Sequence, residues 1–125
     1  MDAEHEVRDL LERWAGAVAA ADREGLVAEH AEDVAMFDVP PSVRVDGLEG
    51  YRRQWELFFD VQGAGTFRFD ELTVVAGDDV AFAFGLLTCG TTDPATHFPV
   101  RLTVGLRREG GRWLVAHEHH SVPTG

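Results

Sequence analysis

With 125 residues, a formal net charge of −11 and 45% hydrophobic residues, the chain is sized for one domain, 1–125, burying roughly two-thirds of its unfolded surface. The acidic balance excludes the basic patch that phosphate backbones and anionic membrane surfaces require, and no apolar run approaches the ~18 residues of a membrane span. The lone Cys89 excludes an internal disulfide and a thiol-rich zinc site.

An acidic N-terminus that soon turns polar argues against a signal peptide, so a reduced, cytoplasmic setting is expected. All eleven basic residues are arginine, which reads as coding bias more than physics. The expected partner is a small apolar or weakly charged organic ligand, with no nucleic acid and no membrane.

In chain order, "EHEVRDLLERWAGAVAAA" sets Val7, Leu10, Leu11, Trp14 and Val18 at helical spacing, which predicts a helix over 4–20. Asp22 suits an N-cap, opening a short second helix over 22–31. "VAMFDVPPSVRVDG" alternates briefly and then meets Pro40–Pro41, which stops a helix or strand. Asp46 opens a third helix over 47–60 with Leu48, Tyr51, Trp55 and Phe59 on one side. Beyond "DVQGAG" the period changes to two. Four strands follow, "TFRFDELTVVAG", "AFAFGLLTCG", "FPVRLTVGLRR" and "RWLVAHEHHS", joined at Gly77-Asp78 and Gly110-Gly111 as an antiparallel meander. Helices followed by a run of strands is an α+β arrangement.

The last of these strands carries three histidines in four positions. Strand alternation puts His117 and His119 on one face with Trp113, Val115 and Ser121, and His120 on the other with Leu114, Ala116, Glu118 and Val122.

These elements resemble the nuclear-transport-factor-2-like superfamily, in its SnoaL-like and ketosteroid-isomerase-like branch. The resemblance rests on "ADREGLVAEHAEDVAMFD", on the "DG" opening the third helix and on the ending "GGRWLVAHEHHSVP". It implies a cone, with N-terminal helices in the concavity of a strongly curved antiparallel sheet around an apolar pocket. It also places Asp38 of "EDVAMFDVP" where steroid isomerases keep their general base. The isomerases' oxyanion tyrosine falls on Trp14, and their protonated aspartate at about Val104. Both donors are thus missing, and such donors usually supply the largest catalytic contribution, so steroid isomerisation itself is not expected. The resemblance further implies that the face of His117, His119 and Ser121 turns into the pocket.

The expected catalytic groups are therefore Asp38, His117 and His119. Each has a plainer reading: a turn carboxylate bonded to backbone amides for Asp38, and satisfied strand histidines for the pair. An H-x-H pair on a strand is a metal-ligand spacing, but a site needs a third ligand; no metal and no cofactor are expected. Expected ligand contacts are Trp14, Met36, Tyr51, Trp55, Phe59, Arg101 and Ser121, the aromatics serving as core as well. Arg101 either clamps a ligand's carboxylate or enolate or stands in solvent. Cys89 reads as a small buried hydrophobe.

Two functions follow: a cofactor-independent isomerase, lyase or cyclase using acid–base chemistry on a small apolar carbonyl compound, or a non-catalytic ligand-binding or scaffold protein. In either case the outer sheet face is expected to form a homodimer.

Overall fold

The structure is a computed structural model that describes residues 2–38 and 43–123. The interruption expected at Pro40–Pro41 lies outside the described residues.

Helix α1 (Ala3–Ala20) starts where the Asp2 carboxylate accepts the His5 amide, and it buries the stripe Val7, Leu10, Leu11, Trp14 and Val18. Asp22 caps α2 (Arg23–Val27) by accepting the Gly25 amide at 3.1 Å. This helix is shorter than its sequence suggests. Glu29 takes a left-handed φ of 60° and its carbonyl accepts the Val115 amide at 2.8 Å. The chain is thereby handed to a sheet, and His30 opens strand β1 (His30–Phe37) instead of closing a helix. The two-residue β2 (Val45–Asp46) precedes α3 (Gly47–Gln62). Asp46 occupies the N-cap position without capping, because Arg44 holds its carboxylate at 2.8 and 3.0 Å.

Strands β3 (Thr66–Ala76), β4 (Val80–Gly90), β5 (Phe98–Glu109) and β6 (Arg112–Ser121) form the expected antiparallel meander. The full sheet has six strands in the order β2-β1-β6-β5-β4-β3. Because β1 lies parallel to β6, the sheet is mixed, which corrects the all-antiparallel expectation. In this open, curled α+β arrangement α1 packs on β3 and α3 on β1. Among the described residues no helix is long and apolar enough to cross a membrane.

The curl depends on two interruptions of the strand period. On β3, Phe69 pairs with Leu87 but Glu71 with Leu86, leaving Asp70 as an extra residue. Opposite it, a Cβ on Gly85 would stand 2.1 Å from the Glu71 carbonyl oxygen, so only glycine lets the two backbones approach this closely. On β6, Gly105 pairs with His117 but Leu106 with Val115, leaving Ala116 over. Such a bulge bends its strand and reverses which residues face inward. Trp113 and Val115 are buried before it, and Glu118 and His120 after it.

Deleting Ala116 should remove the bulge yet keep the facing, since His117 would then follow Val115 outward and Glu118 would still point inward. The expected result is a cooperative thermal transition at lower temperature, because the strand loses its bend, followed by near-ultraviolet circular dichroism of the tryptophans.

Candidate functional site

The inversion at Ala116 brings a carboxylate into the centre of the molecule. Glu118 is 1% exposed and is held from three elements. From β1, His30 Nε2 donates to its Oε2 at 2.8 Å. From α3, the Tyr51 hydroxyl donates to the same oxygen at 2.7 Å, while accepting the Trp14 indole N–H of α1 at 2.9 Å. From β6 itself, His120 Nε2 donates to Oε1 at 2.9 Å.

Hydrogen bonds hold Glu118 ionised. His30 Nδ1 faces the Ala28 carbonyl at 3.0 Å, an acceptor only, and its Nε2 faces the Glu118 carboxylate. The Tyr51 hydroxyl lies 3.0 Å from that same Nε2, so imidazole, phenol and carboxylate form one hydrogen-bonded cluster. Burial pushes the Glu118 carboxyl up, but hydrogen bonds from His120 and His30, and the attraction of those rings, outweigh it and bring it down to about 2. Burial and then the adjacent Glu118 charge raise the Tyr51 phenol well above its ordinary value, so it remains a donor. His120 is the outer end of this relay. Its Nε2–H is committed to Glu118, which leaves Nδ1 as an unprotonated acceptor in the neutral ring. Among the described residues Nδ1 has no hydrogen-bond partner, and it is not one of the polar atoms sealed from solvent.

His120 lines an open cavity of about 360 Å3 between α3 and the ends of β3, β4, β5 and β6. The rest of the wall is largely apolar: Trp55, Leu57, Phe58, Val61, Phe67, Phe98, Val100 and Val122. Its other polar members are Asp38, Gln54 and Cys89. Gln54 Nε2 donates to Asp38 Oδ2 at 3.3 Å. Burial raises the Cys89 thiol, which keeps it protonated and poorly nucleophilic. Among the described residues no three His, Cys, Asp or Glu side chains converge as a metal-binding group.

The SnoaL-like domain model matches residues 7–125. The chain belongs to the SnoaL-like family. An NTF2-like protein of unknown function from Pseudomonas putida KT2440 superposes with a TM-score of 0.91 at 39% identity, over 98% of this chain and 88% of that one. Two more distant structures share the fold of this SnoaL-like chain. A candidate ketosteroid isomerase from Parabacteroides distasonis has a TM-score of 0.79 at 20% identity, over 98% of this chain and 89% of that one. A candidate dehydratase of the NTF2-like family from Streptomyces avermitilis has a TM-score of 0.77 at 17% identity, over 97% of each chain. No curated protein matches the sequence.

Of the residues assigned to the site from sequence, Asp38 and Trp55 line the cavity of this SnoaL-like domain. His117 and His119 do not, because the bulge turns them to the outer face. There His117 Nδ1 donates to the Ala35 carbonyl at 2.7 Å, and both rings meet the edge or face of Phe37, with centroids 5.1 and 5.5 Å away. Ser121 and Arg101 pair with each other in register on that same outer side, and Arg101 borders a shallow depression with Phe84 and Leu86. Trp14, Met36 and Tyr51 are core, sealed from the cavity. Phe59 packs on Trp55 and Phe58 and carries the Arg23 guanidinium 4.8 Å above its ring. The histidine expected to face away, His120, is the one in the wall, and the sequence reading does not name its buried partners Glu118 and, beyond it, His30. The apolar Val122, out of phase with Trp113 and Val115, is the one trace of the inversion in the strand's own sequence.

Breaking a buried pair by removing one partner is expected to cost about 3–5 kcal/mol, so Glu118→Gln should be strongly destabilised near neutral pH. The folded pKa of Glu118 is depressed, so its contribution is complete above the ordinary carboxylate value of 4.5 and is lost as pH falls toward about 2. Chemical denaturation across that range should show wild type and Glu118→Gln converging as the pH drops.

Proposed function

We propose that this SnoaL-like chain is a cofactor-independent isomerase or lyase that moves a proton adjacent to the carbonyl of a small, largely apolar compound, with His120 as general base. The observation that carries this reading is an imidazole backed by a buried carboxylate, its ring in the wall of an open apolar cavity. A base is effective when its conjugate acid is stabilised where it forms. Here Glu118 would accept that charge without being protonated, since His30 and Tyr51 already hold it ionised.

In the proposed step the substrate C–H bond breaks, its proton moves to Nδ1, and the electron pair shifts onto the carbonyl oxygen. Isomerisation follows when the proton returns to a second carbon. In a dehydration, the proton leaves with a β-hydroxyl as water. Asp38, the other ionisable carboxyl group in the wall, is the candidate second proton carrier. Both outcomes suit a fold shared with a candidate isomerase and a candidate dehydratase.

The test is deuterium exchange: a panel of small cyclic and aromatic ketones is incubated with the protein in D2O and α-proton loss is followed by NMR. Exchange by wild type should fall by about 10²–10⁴-fold in His120→Asn, with circular dichroism reporting a retained fold. Exchange that survives both His120→Asn and Asp38→Asn would refute the assignment. Ketones that bind in the cavity without exchanging would favour the rival, a non-catalytic binder, which the apolar Trp14 and Val104 at the isomerases' oxyanion positions also suits.

A second copy of the chain is the proposed partner of the outer sheet face, where Val75, Val80, Phe82, Phe84 and Leu86 are each at least 40% exposed and Phe82 stacks on Phe84 at 6.3 Å. A monomer seldom exposes a contiguous apolar patch beyond ~300–600 Å². Light scattering at micromolar concentration should give a dimer, and Phe84→Glu a monomer of unchanged secondary structure.

A further inference from the structure

We propose that the ligand of this cavity carries an unbranched hydrocarbon chain, which leaves through the mouth and lies along Leu57 and Val61 of α3. The inference rests on the cavity being the ligand site and adds the class of molecule, a carbonyl compound with an alkyl tail.

The pattern of α3 is the first argument. Gln54, Leu57, Phe58 and Val61 stand at i, i+3, i+4 and i+7, so they share one flank of the helix. All four line the cavity. The core takes the neighbouring flank of Tyr51, Trp55 and Phe59, and none of the helix's charged residues lines the cavity. The apolar arc of α3 is therefore wider than the core requires, and the excess lies on the side of the cavity.

Exposure then orders the wall from inside to outside. His120, Trp55, Phe67 and Cys89 are buried, whereas Phe98 is 38%, Leu57 53% and Val61 91% exposed. The imidazole that would meet the carbonyl is at the inner end, and the mouth is hydrophobic. An exposed valine gains nothing from folding, and its β-branch makes it a poorer helix former than glutamine or arginine. One such residue alone is ordinary. Here it continues the lining of a concave apolar site, which is how a binding groove differs from scattered surface residues. The shape of the continuation selects a chain. Leu57 and Val61 are one turn apart, a row one side chain wide and about 6 Å long, which roughly five methylenes would cover. A second ring would overhang so narrow a row.

Fluorescent 6-acyl-2-(dimethylamino)naphthalenes test this, because each is a ketone whose emission moves to the blue when its ring leaves water. The acetyl, butanoyl and hexanoyl members are titrated with the protein. A buried methylene raises affinity about fourfold and a half-covered one about twofold, so wild type should bind the hexanoyl member about 16-fold more tightly than the acetyl member. In Leu57→Gln/Val61→Gln the three members should bind within about threefold of one another, the acetyl member keeping its wild-type affinity within about twofold. Val61→Gln alone, at the most exposed position of the row, should weaken the hexanoyl member about fourfold. Val43→Gln removes an equally exposed valine that does not line the cavity and should leave the whole gain. Wild-type affinity that is flat along the series overturns the inference while leaving the cavity as a ligand site. A gain that survives the double variant, or that falls equally in Val43→Gln, overturns it as well. If no member's emission shifts, the inference and the cavity reading fall together.

Discussion

The Glu118 carboxylate is the constraint around which the molecule is arranged. It lies 1% exposed, where an unpaired charge would be untenable, and its partners come from β1, α3 and β6, with Trp14 of α1 one bond further out. Each helix that contributes is thereby tied to the sheet at one point. A hydrophobic residue of similar volume would fill the same space, often with no loss of stability. What the carboxylate adds is direction: it holds His120 by one nitrogen, Nε2, in the cavity wall.

That arrangement depends on a local irregularity. Were the same residues paired without the bulge at Ala116, β6 would continue its alternation and offer the helices two histidines and a serine in place of a glutamate and a histidine. The second irregularity, at Asp70, performs the same reversal on β3, so that Phe67 faces the cavity while Val74 faces the core beyond it. Between the two, the sheet curls enough to leave a space that α3 covers only in part. Scaffold and site thus share one cause, the departure of two strands from their period.

The fold was legible where periodicity was sustained. The stripe of α1, the face of α3 and the meander from β3 to β6 could all be read from residue spacing. Strand β1 was not, since "HAEDVAMF" alternates over too few residues to be told from a helix end, and its pairing with β6 is a property of distant segments. Of the residues lining the candidate cavity, Asp38 and Trp55 could be named from sequence, whereas the facing of the histidines on β6 is the reverse of that expected. Alternation correctly separated His117 and His119 from His120, but the rule holds only while the register does. On β3 the shift from Phe67 and Phe69 to Leu72 and Val74 displays the change of phase openly. On β6 the polar run from His117 to Ser121 hides it, because hydrophobicity is the signal from which phase is read and those residues carry little of it. His30 could not have been found by spacing at all, standing 88 residues from its carboxylate.

That separation also bears on the order in which the molecule assembles. β1 and β6 are neighbours in the sheet, yet every other strand lies between them in sequence, and contacts so remote are slow to form and are rewarded only after the intervening chain is organised. Until β6 is available, β1 has an open edge on that side and His30 has no anion, so a partly assembled chain presents both a template for strand addition and an unmatched buried polar group. The relay that would serve the ligand is therefore also the latch by which the sheet closes, and the same carboxylate marks the moment at which the chain becomes resistant to aggregation.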